Sequence, residues 1–413
     1  MSELFARRPA GQPVAGMDDA AAPATSLERG APSFALGDVL PAAARAVGVD
    51  LPGADQLPGA GAVAAALGDL GRAEAAIVVM IDGLGSQQLA KYSGHVPFLR
   101  NVARRETLTT CAPSTTAAAL TLLGTGAAGG STGMLGYTVR AQAPEVAGAA
   151  APPGEVLNLL TFADSAVAPQ DYQDQPTHFE RYRGTTGRGL PSIGLARFAG
   201  SGLTLAALRG SDHHGQNIMA ERGRTAARLV RQGERLIYLY FGEVDKAGHY
   251  YGWGSPQWLR ELENVDRVLA NLSAQAPQAL LLITADHGMI NSGSADHVFV
   301  TPAMRRDLEC MAGEPRAVHA YAAAGRAAEL ERCWREELGE NAWVLGRHEA
   351  VELGLFGQVS ARRLPLLGDV IAFARGNTTI HAEVGARTTT MVGVHGSLTR
   401  AELEVPLLAV DPR

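Results

Sequence analysis

Lysine is all but missing from this chain of 413 residues: only Lys91 and Lys246 occur, and the formal charge is -6. A surface built to hold a nucleic-acid backbone carries a basic patch, so this balance argues against that class of partner. Cysteine is equally scarce. Cys111, Cys310 and Cys333 are odd in number and too few for a disulfide framework, so they are expected as reduced thiols. No stretch is apolar over the roughly 20 residues that a membrane-crossing helix needs. Arg7 and Arg8 have no apolar segment behind them, so the N-terminus does not read as a secretory signal. Taken together, these absences predict a cytoplasmic protein without a membrane segment.

What is present suits a globular chain with one large α/β domain carrying an insertion. Residues 1–34, rich in Ala, Pro, Gly and charge, are expected to be a disordered or extended lead-in. The first strong strand is Ala75 to Ile81, a continuous apolar run of the kind buried on both faces. Further strands are expected at Thr107–Cys111, Leu236–Tyr240, Leu280–Thr284, Val370–Ala374 and Val405–Val410, with helices between them, notably 223–231 and 258–274. That alternation predicts an α/β fold: a mostly parallel central sheet flanked by helices on both faces. Ala143–Gly154 reads as a surface excursion. A helical pattern at Arg326–Leu338, between strand-like Ala317–Ala322 and Ala342–Leu345, predicts a small α+β cap over about 301–375. It would interrupt a catalytic domain of residues 35–300 and 376–413.

The informative pattern is a recurrence. Strong strands run into carboxylates or imidazoles: IVVMI into Asp82, LIYLYFGEV into Asp245 with His249 following, LLLITA into Asp286 and His287. In open α/β sheets ligands bind beyond the carboxyl ends of the strands, where residues distant in sequence meet. Each piece alone has a plain explanation. Asp82-Gly83 forms turns, Asp245 can cap a helix, and His395-Gly396 can be a surface histidine. Jointly they offer hard oxygen and imidazole ligands at several strand ends, a mixture that suits Zn²⁺ or Mn²⁺ better than Ca²⁺. No cysteine lies in any of these pieces, which excludes a thiolate zinc site there. Hydroxyls follow the strand expected to end at Cys111, in Ser114-Thr115-Thr116. A hydroxyl held against a divalent cation becomes a nucleophile without a neighbouring base.

From Ala75 onward the order of these motifs resembles the alkaline phosphatase superfamily, in its nucleotide pyrophosphatase/phosphodiesterase branch. The matching pieces are the first Asp, the hydroxyl loop with a later Thr125-Gly126, Asp245-x-x-x-His249, Asp286-His287-Gly288 and His395-Gly396. The resemblance implies Thr116 as the catalytic nucleophile, set by its register to Gly126. It implies one metal site from Asp245, His249 and His395. A second would use Asp82, Asp286 and His287, with the Thr116 hydroxyl on that ion. The implied cofactors are two divalent cations, Zn²⁺ first and Mn²⁺ second, and the partner is a small-molecule phosphate ester.

Two departures stand out. Ala117-Ala118-Ala119 follows the threonine where relatives have Phe-Pro-Asn, and Tyr137 occupies the register of an oxyanion-holding asparagine. Tyr137 is therefore the expected catalytic donor. Ala117 stands where monoesterases of the superfamily carry an arginine, which favours a diester or pyrophosphate substrate over a monoester. Sulfatase-like Cys111-Ala-Pro-Ser-Thr115 lacks the arginine of that motif and has the wrong register. The expected function is a two-metal phosphodiesterase or nucleotide pyrophosphatase acting through a phospho-threonine. The alternatives are a phosphomonoesterase, a phosphonate hydrolase, a phosphate-moving isomerase and an inactive homologue. The cap is expected to frame the leaving group. Early in it, Glu314, Arg316 and His319 are expected to be structural rather than substrate contacts.

Overall fold

The computed structural model describes residues 34–141, 155–163, 165–383 and 385–413. The surface excursion expected at 143–154 lies outside these residues. So does the expected lead-in, except for Phe34, which is buried and opens the described part.

Two sheets organise the chain. Their strands are β1 (Ala75–Ile81), β2 (Arg104–Thr109), β3 (Leu190–Gly194), β4 (Ser211–Gly215), β5 (Leu236–Phe241), β6 (Ala279–Thr284), β7 (Leu308–Glu314), β8 (Ala317–Ala322), β9 (Ala342–Gly346), β10 (Val370–Ala374) and β11 (Glu404–Val410). The larger sheet has seven strands in the order β2-β11-β6-β1-β5-β3-β4. β6, β1, β5, β3 and β4 are mutually parallel, and β11 runs antiparallel to both β6 and β2.

Composition explains the order. β1, β5 and β6 are apolar at nearly every position and wholly buried, as strands covered on both faces must be. The edge strands β2 and β4 are rich in charge, threonine and histidine, which blunts pairing with other chains. β2 stops short of the expected Cys111 because Thr110 turns away. Its N–H donates to Leu403 O and its hydroxyl to Asp286 O.

Helices cover the sheet by their apolar stripes. In Pro256–Gln275 the buried residues Trp258, Leu262, Val265, Leu269 and Leu272 recur every three or four positions, and Ser255 accepts the Trp258 N–H at its start. Each such side chain contributes about 1.5–3 kcal/mol by leaving water.

The second sheet is antiparallel, in the order β7-β8-β10-β9. Val370–Ala374, picked out from the sequence as a buried strand, is an inner strand here rather than part of the larger sheet. Helix Ala327–Leu338 packs Leu330, Trp334 and Leu338 against Val318, Ala320, Val344 and Val370. No helix among the described residues is long and apolar enough to cross a membrane.

Candidate active site

The parallel register puts the carboxyl ends of β1, β5 and β6 at one edge, since Met80 pairs with both Tyr240 and Thr284. Asp82 follows β1, and its N–H donates to Phe241 O at 2.9 Å. Gly83 makes the next step with φ +74°; a Cβ there would stand 2.8 Å from the Cβ of Asp245. Only glycine lets this turn pack against the neighbouring ligand helix. The Gly83 N–H donates to Asp286 Oδ1 at 3.1 Å, tying two strand ends together. Helix Glu243–Tyr251 presents Asp245 and His249 one turn apart on one face, with carboxylate and imidazole 3.2 Å apart. His395 arrives on the loop after Gly393–Val394, which pairs with Ile290–Asn291 just beyond His287.

Three imidazoles are anchored in the same way. Nδ1 of His249 lies 2.7 Å from Gly393 O, that of His287 2.9 Å from Gly288 O, and that of His395 2.9 Å from Ser114 O. A carbonyl only accepts, so each Nδ1 carries a proton and, in the neutral ring, each Nε2 turns a lone pair toward the site. The His287 and His395 rings stack with centroids 3.6 Å apart, a contact that two cationic rings would resist. Burial, with His287 and His249 alongside, holds His395 well below the usual imidazole range. Ring orientation fixed from behind by a backbone acceptor is the arrangement that metal-ligating histidines adopt.

The carboxylates show a deficit of positive charge. Asp82 Oδ1, Asp245 Oδ1 and Asp286 Oδ2 are buried without a hydrogen-bond partner among the described residues. Burial, then repulsion from Asp286 and Asp245, pushes Asp82 well above the usual carboxylate range, although the Tyr240 hydroxyl donates to it. Burial would raise Asp245 too, but His249, His395 and His287 reverse this and hold it low. Buried charges are paired or bind metal, and these orphaned oxygens face nitrogen lone pairs. Ligand atoms of Asp245, His249 and His395 lie within 4.8 Å of one another, as do those of Asp82, Asp245 and His287. The first group is the trio expected from the sequence. In the second, Asp245 joins Asp82 and His287, while Asp286 Oδ2 stands 3.6 Å from His287 Nε2. The donor set fits two divalent cations.

Of the three candidate hydroxyls, one reaches this cluster. Ser114 is buried and donates to Ser397 O, and Thr115 is buried. Thr116, at the start of helix Thr116–Thr125, is partly exposed and places Oγ1 3.2 Å from His287 Nε2. Cys111 is buried, which pushes its thiol up to about 12, the state of an inert cysteine. Tyr137 is 42% exposed, and it is the residue's backbone N–H that bonds inward, to Glu314 Oε2 at 3.0 Å. Arg316 pairs with Glu402 and His319 bonds Leu135 O, both in the interior. Tyr240, Glu314 and Glu402 were not singled out as site residues. Tyr240 sits in a uniformly apolar strand, Glu314 comes from the second sheet, and Glu402 lies in the short helix Arg400–Leu403 before β11.

Residues 76–148 and 164–398 match the type I phosphodiesterase / nucleotide pyrophosphatase family. The chain belongs to that family. The family match places this sheet, with carboxylates and imidazoles gathered at its carboxyl edge, in the alkaline phosphatase superfamily. Mouse ectonucleotide pyrophosphatase/phosphodiesterase family member 7 is 29% identical over 116 residues, 25% of this chain and 26% of that protein. Two solved structures share the fold. Murine ectonucleotide pyrophosphatase/phosphodiesterase 5 matches with a TM-score of 0.64 at 15% identity, over 82% of this chain and 88% of that one. Phosphonoacetate hydrolase from Sinorhizobium meliloti, solved with phosphonoformate, matches at 0.62 and 20%, over 81% and 89%.

Proposed function

We propose that the protein is a two-metal phosphodiesterase or nucleotide pyrophosphatase that works through a covalent phospho-threonine on Thr116. The observation that carries this reading is the convergence of three imidazole Nε2 atoms and three unpartnered carboxylate oxygens beside one accessible hydroxyl. Asp245, His249 and His395 would hold one cation, and Asp82, Asp286 and His287 the other, with Asp245 placed to serve both. Two such cations, Zn²⁺ or Mn²⁺, would supply the positive charge that offsets the carboxylates, lowers the pKa of the threonine hydroxyl and stabilises departing oxygen.

The chain's own groups do the rest. Thr116 sits at a helix N-terminus, where the backbone dipole favours negative charge on Oγ1 and on an incoming phosphoryl group. Its oxygen attacks phosphorus, an Oγ1–P bond forms, and the P–O bond to the leaving group breaks. Water then attacks the same phosphorus, Oγ1 leaves, and phosphate or a monoester is released. Ala117 is buried and offers no arginine to clasp a doubly charged monoester, so the singly charged phosphorus of a diester suits the site better. The insertion over about 301–375 frames the leaving group.

The test is a panel of mono-, di- and phosphonate esters, bis-p-nitrophenyl phosphate among them, turned over in added Zn²⁺ and in added Mn²⁺. Diester turnover is expected to exceed monoester turnover, and Thr116→Ala is expected to lose more than about 10³-fold. Full activity in Thr116→Ala refutes the nucleophile; preferred phosphonate cleavage overturns the substrate class.

A further inference from the structure

The turn joining β7 to β8 reaches from the second sheet into the edge of the active site. Glu314 ends β7, and its Oε2 accepts the Tyr137 N–H at 3.0 Å. Beside it, Thr138 Oγ1 bonds both the N–H and the carbonyl of Gly313 at 2.9 Å. The other oxygen, Oε1, is buried with no hydrogen-bond partner among the described residues. The Thr115 hydroxyl lies close enough to favour its charged form. A Cβ on Gly396 would stand 2.7 Å from Glu314 Cγ, so this glycine, at φ +131°, lets the carboxyl lie flat against the backbone that follows His395. Arg316, from the same turn, pairs with Glu402, which accepts the Ser397 N–H at 2.9 Å. The Gly396 N–H donates to Ser114 Oγ and its carbonyl accepts the Ser114 N–H, both at 3.2 Å, so this turn bears on the His395 loop and through it on the nucleophile loop.

We propose that Glu314 is a positioning residue, bracing Gly396 and the Tyr137 backbone from the second sheet so that Thr116 keeps its aim at phosphorus. The inference rests on Thr116 as the nucleophile. No cationic side chain among the described residues bonds the carboxyl. The titratable and charged groups facing it are Glu402, already engaged by Arg316, and the Cys111 thiol. Burial pushes Glu314 up to about 8, with Glu402 adding to the rise and Thr115 and Tyr137 opposing it. Below that pH the group is a neutral acid. Above it, an unpaired buried anion stands beside a site that must accept an anionic ester. Glutamine keeps the shape and the donor and cannot ionise.

The experiment measures kcat, KM and Tm for Glu314→Gln, Glu314→Ala and Thr116→Ala on bis-p-nitrophenyl phosphate, in the metal-loaded full chain. Glu314→Ala is expected to lose at least tenfold in kcat with KM within about twofold. Glu314→Gln is expected to stay within about threefold of the parent at pH 7, and the ratio of its kcat to the parent's to rise above pH 8. Wild-type kcat in Glu314→Ala overturns the proposal, as does an equal loss in both variants. Should Glu314→Ala fail to fold, a flat ratio for Glu314→Gln between pH 7 and 9 overturns it by itself. If Thr116→Ala is inactive while Glu314→Ala is fully active, the positioning role fails and the nucleophile stands. Activity in Thr116→Ala removes the nucleophile instead.

Discussion

Replacing Arg316 by methionine strands a carboxylate in the dry interior. Both side chains of the Arg316–Glu402 pair are wholly inaccessible. The guanidinium donates to the two carboxylate oxygens at 3.1 and 2.6 Å and to Thr378 O at 2.6 Å. Removing one partner of such a pair costs about 3–5 kcal/mol, because the other is left buried and uncompensated. Against a typical total of about 5–15 kcal/mol, that is a fifth or more of the stability. With a slope of a few kcal/mol per molar urea, the unfolding midpoint of Arg316→Met is expected to fall by about 1 M. The double variant Arg316→Met/Glu402→Gln removes the stranded charge and keeps an amide oxygen to accept the Ser397 N–H. Beyond the Thr378 carbonyl bond that both variants lose, it leaves one donor, the Thr399 hydroxyl, without its acceptor, at about 1–3 kcal/mol. It is therefore expected to unfold at higher urea than the single variant. Urea titration followed by tryptophan fluorescence at pH 7 reads both. A single variant within about 1 kcal/mol of the parent, or a double variant no more stable than the single, would refute the reasoning.

Other consequences can be checked separately. Chelation should abolish turnover and lower Tm, since a ligand at a hundred times its Kd stabilises by about 2.7 kcal/mol; Asp245→Asn should blunt the rise in Tm when Zn²⁺ or Mn²⁺ is restored. A Tm indifferent to added cation counts against the metal reading. His319 donates from Nε2 to Leu135 O and accepts the Gly368 N–H at Nδ1, so only the neutral ring satisfies both partners. Burial lowers it to about 4, so the unfolded chain binds the proton first. Stability is then full above about pH 6.5 and falls by roughly 3 kcal/mol from this group as pH drops through 4. His319→Gln should flatten that slope, and an unchanged slope excludes the group. Tyr137→Phe keeps the backbone bond to Glu314 and removes the phenol. A loss on the order of 10²-fold in turnover assigns it the oxyanion role, and unchanged kinetics withdraws that role.

Much of the architecture was legible locally. The runs AAIVVMI, LIYLYF and ALLLIT are apolar at almost every position, and that pattern requires cover on both faces. The carboxylates that end them could be picked out because parallel strands deliver their carboxyl ends to one edge. The choice among Ser114, Thr115 and Thr116 was not local: all three are hydroxyls in one turn, and only the packing of the following helix exposes Thr116. Val370–Ala374 has the composition of a core strand, and the second sheet claimed it through pairing with β8 and β9.

By itself, then, the sequence determined the periodicities, the turn glycines and the types of ligand at the strand ends, because those follow from neighbours along the chain. The tertiary structure alone decided that Asp245 crowds Gly83, that Tyr240 reaches Asp82, and that Glu314 and Arg316 grip opposite loops of the site. Such contacts join residues far apart in sequence, and no local pattern encodes them. They exist because burying the apolar faces of two sheets together fixes where every remaining polar group must find its partner.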